Sequence, residues 1–365
     1  MARLGDLIEQ IRGVSYKPED LCDSLNEDGI PLLRASNIQD GKLNFEDIIY
    51  IDKKKVKSNQ YLKSGDILVC TSSGSKELVG KAAFVENDLS MTFGAFCKVI
   101  RPKICCPKYI GHFFDSPYYR KRISASSAGA NINNIRNEHI DEIDIRLPST
   151  DEQKQISAVL DKVSDLISLR KQQLQKLGEL VKARFVELFG DYRINEKGFD
   201  CKKGSELFKF SSGKFLPEEK RLDEGVPVYG GNGIAWYTSE CLVDYPTIII
   251  GRVGAQCGNI HAVTTPVWIT DNAIYIKEQK TKAYTLEFLT ELMRMMDFYQ
   301  YADFSGQPKI TQKPLETLDY IMPPIELQTQ FATFVEQTDK SKLAIQQSLD
   351  KLETLKRSLM QKYFG

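Results

Sequence analysis

The chain holds 365 residues, 42% apolar and 27% charged, with 49 basic side chains against 49 acidic ones. That length gives room for about two domains of ordinary soluble composition, and zero net charge excludes a globally basic nucleic-acid binder, though not one whose cations gather on one face. Eight cysteines without a C-x-x-C pair and three scattered histidines exclude the common metal sites; with no signal peptide and no long apolar run, a cytoplasmic chain with reduced thiols and no membrane contact is expected.

Residues 30–146 are modestly basic, with 18 Lys/Arg against 13 Asp/Glu. They begin with a strand-like "GIPLLR" that runs into "ASNIQDGKL". The run "DKKKVK" follows, and in a neutral chain such a run is more often a solvated face than a nucleic-acid track. Next comes "GDILVCTSSGSKELVGKAAF", which approaches a phosphate-binding loop but fails it. Five residues separate Gly74 from Gly80, and Ala82 replaces the Ser or Thr that would follow the lysine and hold magnesium. The segment after it, "AAFVENDLSMTFGAFCKVI", is rich in β-formers, so residues 71–81 are expected to be a hairpin turn in a β-rich domain. A polar loop, "GANINNIRN", precedes Pro148.

Beyond Pro148 the pattern becomes helical. Ile156, Leu160, Val163, Ile167, Leu174, Leu177, Val181 and Leu188 follow 4-3 spacing, with Arg170 and Arg184 completing the stripe. Gly190 suits a helix stop, and a helix of nearly 40 residues would be about 55–60 Å long. Residues 201–322 then carry 13 Lys/Arg against 15 Asp/Glu. Within them "VPVYGGNGIAWY" permits a tight turn at Gly230, Gly231 and Gly233, with Trp236 read as a core residue. "IIIGRVGAQCGNI" reads as strand, turn, strand, and "SGQPKITQ" precedes a second proline pair. After Pro323-Pro324 a second stripe runs through Phe331, Val335, Thr338, Lys342, Ile345, Leu349, Leu352, Lys356, Leu359 and Tyr363.

The two halves are copies of each other. At an offset of 175, Ile135 meets Ile310, Asp144 meets Asp319, Pro148 meets Pro323 and Gln153 meets Gln328. The register holds for sixty residues with twelve identities and ends with Phe189-Gly190 on Phe364-Gly365. Upstream, "RLGDLIEQIRG" resembles "KGSELFKFSSG", with the offset growing to 200, so the second copy is about 25 residues shorter. Each heptad helix thus has a matched partner in the same chain. Antiparallel pairing would give a pseudo-two-fold arrangement with the globular parts at opposite ends.

This order of elements, all duplicated, resembles the DNA-specificity subunit of type I restriction–modification systems. The resemblance rests on "GIPLLRASNIQDGKL", "GDILVCTSSGSKELVGKAAF" and "IDEIDIRLPSTDEQKQI" in the first copy. The second supplies "VPVYGGNGIAWY" and "LDYIMPPIELQTQF". It implies an α+β fold in which two mixed α/β target-recognition domains (residues 1–147 and 191–322) are joined by two long helices (148–190 and 323–365) packed as an antiparallel coiled coil. It also implies a chain with no catalytic residues, reading a split sequence in double-stranded DNA. Two methyltransferase (modification) subunits would dock on the helices, and restriction nuclease-translocase subunits would join them. S-adenosylmethionine, ATP and Mg would bind to those partners and not to this chain. The second copy reads Glu326-Leu327-Gln328 where the first reads Asp151-Glu152-Gln153, which departs from equivalent docking at the two ends. A duplicated coiled-coil scaffold bridging two proteins without reading DNA is the alternative.

On the DNA reading, the hairpin tip would offer backbone N–H groups with Ser72, Ser73, Ser75, Lys76 and Lys81 to phosphates. In the second copy Arg252, Gln256 and Asn259 occupy the matching turn, Arg suiting guanine and Gln or Asn adenine. Further candidates are Arg34, Ser36 and Asn37, the lysines Lys53, Lys54 and Lys55, and Tyr229 and Asn232 at the glycine turn. The pre-proline loops add Asn133 and Arg136 in one copy and Gln307 and Lys309 in the other. The asparagines serve loop capping equally well.

Overall fold

The structure is a computed structural model in which residues 1–23, 28–75, 78–126 and 134–365 are described. By contacts the chain divides into two units, Met1–Lys171 with Gln347–Gly365, and Gln172–Gln346.

The first unit is built on an antiparallel four-stranded sheet in the order Ile8–Arg12, Cys97–Pro102, Ile67–Cys70, Ala82–Phe84. Ile67–Cys70 is buried throughout, as its run of four apolar residues requires. A second sheet places Thr92–Phe93 parallel to Gly29–Leu33, which pairs with Ile49–Asp52 and then Leu21–Cys22. The second unit repeats this plan. Phe208–Ser212, Ala273–Gln279, Thr247–Gly251 and Ile260–Val263 lie in the same sheet order. Trp268–Ile269 is parallel to Val226–Gly230, which pairs with Gly233–Thr238.

About half of the length difference lies in one connection. Residues 34–48 connect two strands in the first unit and contain a small hairpin, Ile38–Gln39 with Lys42–Leu43. The equivalent connection in the second unit is the turn at residues 231–232.

The closing glycines of the upstream repeat, Gly13 and Gly213, have the same physical cause. A Cβ on Gly13 would lie 2.1 Å from the carbonyl oxygen of Gly94, and one on Gly213 would lie 2.1 Å from that of Thr270. Only glycine lets these strands leave the sheet where another backbone crosses.

Each long helix has 40 residues, Thr150–Phe189 and Ile325–Phe364, or about 60 Å at 1.5 Å per residue. Every residue of both 4-3 stripes is buried or half-buried, while most residues between them are exposed. In the first unit Ile156 and Leu160 share a core with Leu359, Met360, Tyr363 and Phe364, and Lys171 pairs with Glu353 at 3.4 Å. In the second unit Phe185 and Phe189 meet Phe331 at ring distances of 5.6 Å. Within each unit the start of one helix therefore runs against the end of the other, so the segments are antiparallel.

The heptad stripe omits the residues that anchor the helices to their domains. Phe364 packs at a tilt 5.1 Å from Tyr109, and Phe189 packs edge-to-face 4.8 Å from Phe288. These rings sit one position beside the stripe, on a face that meets the domain helices Pro107–Asp115 and Leu286–Met295.

The two matched glutamines close the same joint. Gln153 accepts a hydrogen bond from the Cys106 N–H (2.9 Å) and donates to the Pro148 carbonyl (2.9 Å). Gln328 accepts from the Thr285 N–H (2.9 Å) and donates to the Pro323 (2.8 Å) and Ala283 (2.9 Å) carbonyls. Each buried amide satisfies backbone groups at a helix start that would otherwise lack partners. No helix among the described residues is long and apolar enough to cross a membrane.

Candidate nucleic-acid interface

The hairpin expected at residues 71–81 joins strands Ile67–Cys70 and Ala82–Phe84. Cys70 N–H donates to the Lys81 carbonyl (2.8 Å) and Gly80 N–H to that of Cys70 (2.7 Å), with Gly80 at φ +82°. No helix follows, so the loop lacks the frame of a nucleotide-binding turn. Beyond the closing pair, Lys81 N–H donates to the Leu78 carbonyl at 3.2 Å. Ser72 bridges Asn134, Ile135 N–H donates to the Thr71 carbonyl (2.8 Å), and Thr71 and Ser72 N–H both donate to Phe96. The loop is thereby tied to the segment before the first proline.

Of the sequence candidates, Ser72, Ser73, Ser75, Lys81 and Arg136 lie on or beside this loop. Lys76 and Asn133 fall outside the described residues. Ser73 accepts a hydrogen bond from the Ser75 N–H at 3.2 Å, which shapes the tip. Two further residues lie here that no motif marks. Phe96 is 70% exposed beside Thr71. Arg120, on helix Pro117–Ser126, donates to the Val79 carbonyl at 2.8 Å. The sequence signal for Arg120 was the triplet Arg120-Lys121-Arg122.

The remaining first-copy candidates are placed differently. Asn37 is buried, accepts from the Arg34 N–H and donates to the Asn44 and Glu46 carbonyls. Its amide is consumed in holding the 34–48 connection, so Asn37 shapes a loop and has nothing left with which to read a base. Arg34 donates to the Asp47 carbonyl (2.6 Å) in the same connection, where Ser36 is exposed. Lys53, Lys54 and Lys55 form a short 3-10 turn, with Lys55 paired to Asp20 at 2.8 Å. No bridge or hydrogen bond among the described residues brings these to the hairpin tip.

In the second unit the candidates converge. Strands Thr247–Gly251 and Ile260–Val263 carry the loop 252–259. Gly251 N–H donates to the Asn259 carbonyl, Gly258 N–H to Gly251 (both 2.8 Å), and Asn259 N–H to Gln256 (3.2 Å), with Gly258 at φ +88°. These bonds match those of the first hairpin one for one, so Gln256, Gly258 and Asn259 take the places of Leu78, Gly80 and Lys81. Val253 bridges Lys309, and Ile310 N–H donates to the Arg252 carbonyl, which ties this loop too to its pre-proline segment.

Arg252 is half-buried, its guanidinium donating to the Asp271 carbonyl at 3.3 Å. Asn232 lies 3.5 Å from Asn259, and a Cβ on Gly254 would sit 3.3 Å from the Gln307 amide nitrogen. The Tyr229 ring lies tilted 5.9 Å from His261 beside this turn. Burial holds the Tyr229 hydroxyl above and the His261 imidazole below their usual pKa ranges, with Arg294 adding to the latter. Trp236 is half-buried beneath the Arg221 guanidinium (5.3 Å), and not in the core as its sequence suggested. A recess of about 320 Å³ opens beside Asn259, lined by Cys257, Arg294, Asp297 and Tyr299 among others. Among the described residues no cluster of three or more His, Cys, Asp or Glu is placed to hold a metal ion.

The two units thus carry loops with different side chains on one shared backbone frame, and a family model matches both copies. The family model described as "Type I restriction modification DNA specificity domain" matches residues 1–179 and again 196–357. The chain belongs to this family. It is 43% identical over 173 residues to the specificity subunit of the type I restriction enzyme StySPI from Salmonella potsdam, covering 47% of this chain and 37% of that protein. It is 35% identical over 249 residues to the EcoKI specificity subunit of Escherichia coli (strain K12), covering 67% and 52%. The chain thus spans about half or less of the length of these curated relatives. The crystal structure of a type I restriction-modification S subunit from M. genitalium superposes with a TM-score of 0.66 at 18% identity, covering 100% of this chain and 95% of that one, a likeness of fold.

Proposed function

We propose that the chain is the non-catalytic, DNA-reading and assembly subunit of a type I restriction–modification complex. Residues 1–147 and 191–322 each read one half of a split duplex sequence. The helices at 148–190 and 323–365 set the spacing and dock two methyltransferase subunits, with nuclease-translocase subunits joining them in the cytoplasm. S-adenosylmethionine, ATP and magnesium belong to those partners.

The observation that carries this reading is one backbone frame occurring twice with different side chains at its tip: Leu78 and Lys81 in one copy, Gln256 and Asn259 in the other. A frame that is kept while its tip chemistry changes suits a module that discriminates among base edges, since phosphate contacts position a protein and groove contacts select the sequence. Mapping methylated adenines genome-wide with and without the gene tests it. Deletion should abolish methylation of one split motif; survival of every motif overturns the proposal. Exchanging residues 201–322 for those of another family member should alter one half-site only, and a change in both would defeat the modular division.

A further inference from the structure

The loop 252–259 carries two amides joined to each other. Asn259 Nδ2 donates to Gln256 Oε1 at 2.6 Å, and its second N–H faces Asn232 Oδ1 at 3.5 Å. Each amide has one acceptor oxygen and one NH₂ group. The bond between them uses the oxygen of Gln256 and an N–H of Asn259, which leaves the Gln256 NH₂ as donor and the Asn259 oxygen as acceptor. Reversing both amides exchanges the roles and again leaves one donor and one acceptor. Whichever way the pair is turned, it offers the same two-point pattern.

The backbone beneath is fixed before any ligand arrives. Cys257 N–H donates to Gly254 (3.0 Å) and Gly254 N–H to Pro308 (2.9 Å). The Cys257 side chain is buried, and its thiol donates to the Arg252 carbonyl at 3.3 Å. Gly258 lies so close to the turn Phe298–Tyr301 that a Cβ there would be 2.6 Å from Tyr299 N. Gly251 is pressed equally closely on Gly231, which brings Asn232 to Asn259. Gln256 is nevertheless exposed. A polar pair held on a rigid loop with its remaining hydrogen-bonding groups unspent is a pre-organised recognition element.

We infer that Gln256 and Asn259 act as one composite reader of a single adenine in the major groove. Adenine alone among the bases presents there an acceptor (N7) beside a donor (N6–H₂), the complement of one donor and one acceptor. Guanine offers two acceptors, cytosine a donor, and thymine an acceptor with a methyl group. This rests on the DNA-reading function proposed above and assigns which base the second half-site selects at this loop.

The test is a base-preference profile, measured by selection from randomised duplexes with the chain assembled with its methyltransferase subunits. Gln256→Ala and Asn259→Ala should each lower preference for adenine at one position of the half-site governed by residues 201–322, by about 10–100-fold. The double variant should lose no more than either single one, because the two residues form one unit. The other half-site should not change. Gln256→Glu, nearly isosteric and thus safe for folding, leaves only acceptors and should move the preference at that position toward cytosine. Unchanged profiles, or losses at two separate positions that add in the double variant, would overturn the composite reader while leaving the DNA-reading function intact. A wild-type complex with no base preference at all would overturn both.

Discussion

The two copies keep one frame and differ in the connection at residues 34–48 and in the side chains of the hairpin tips. Sheet order, the parallel strand pair, the crossing glycines, the glutamine joint and the terminal phenylalanine all recur. On that frame Leu78, Lys81 and Phe96 in one unit occupy the backbone places of Gln256, Asn259 and Asn272 in the other, as the matched bonds of Thr71 N–H to Phe96 and Arg252 N–H to Asn272 show. The lesson is that main-chain hydrogen bonds fix the closing end of each hairpin, so the side chains there vary without disturbing the fold. An apolar and cationic tip suits phosphates and thymine methyl groups, whereas an amide tip suits base edges.

The largest expected effect lies at the aromatic anchors. Phe189→Ala should cost about 3–5 kcal/mol, as should Phe364→Ala, since each removes a fully or nearly buried ring. If the two joints are equivalent, hydrogen exchange should locate the loss in Leu286–Met295 for the first variant and in Pro107–Asp115 for the second. Protection lost in neither helix would show that these rings do not anchor the domains.

The glutamines come next. Gln328→Ala leaves one N–H and two carbonyls without their partner, Gln153→Ala one of each, so chemical denaturation should show losses of about 2–4 kcal/mol with Gln328 the costlier. Equal or negligible losses would mean that water replaces the amide at one joint. This contact also sharpens the sequence reading. The matched Gln was visible as part of an acidic-plus-Gln signature suited to docking, but its partners include backbone groups 43–47 residues away, which no local pattern displays.

The tip chemistry is a smaller effect and depends on the proposed function. Lys81→Ala should weaken DNA binding of the assembled complex evenly across sequences and reduce the salt slope by about 1, whereas Asn259→Ala should leave that slope unchanged. Equal slopes for the two variants would erase the division between a phosphate-facing tip and a base-facing one.

Much of this molecule was legible in its sequence because its signals are periodic or repeated. The 4-3 stripes, the offset of 175 and the failed phosphate loop all follow from spacing, and all three led to the correct elements. The individual site residues were less legible. Asn37 and Asn259 are the same residue type in similar polar loops, yet one is buried with its amide fully used and the other keeps an acceptor to offer. The difference arises from which distant carbonyls lie within reach, and sequence spacing carries no record of that. Phe96 shows the converse, an aromatic that composition would assign to the core but that the short turn before Cys97 leaves exposed.

The smallest expected effect separates the copies by pH. His112 is mostly buried on helix Pro107–Asp115, where Asp161 bonds its Nε2 at 2.8 Å and also pairs with Lys108 at 2.8 Å. Burial holds the imidazole below its usual pKa and outweighs the nearby Asp161 and Asp115, while Lys356 adds slightly to the depression. The folded state therefore takes up this proton less readily than the unfolded chain, whose histidine titrates near ~6.5. The stability that depends on neutral His112 is present above ~6.5 and is lost as the pH falls below it. The position reached by the same helix register in the second copy is Glu291, which pairs with Arg294 at 3.3 Å. Hydrogen exchange at pH 7.5 and pH 5.5 should thus show Pro107–Asp115 weakening more than Leu286–Met295, with the excess removed by His112→Gln. An undiminished excess in that variant would place the pH dependence elsewhere in the first unit, and leave the Asp161 contact as packing alone.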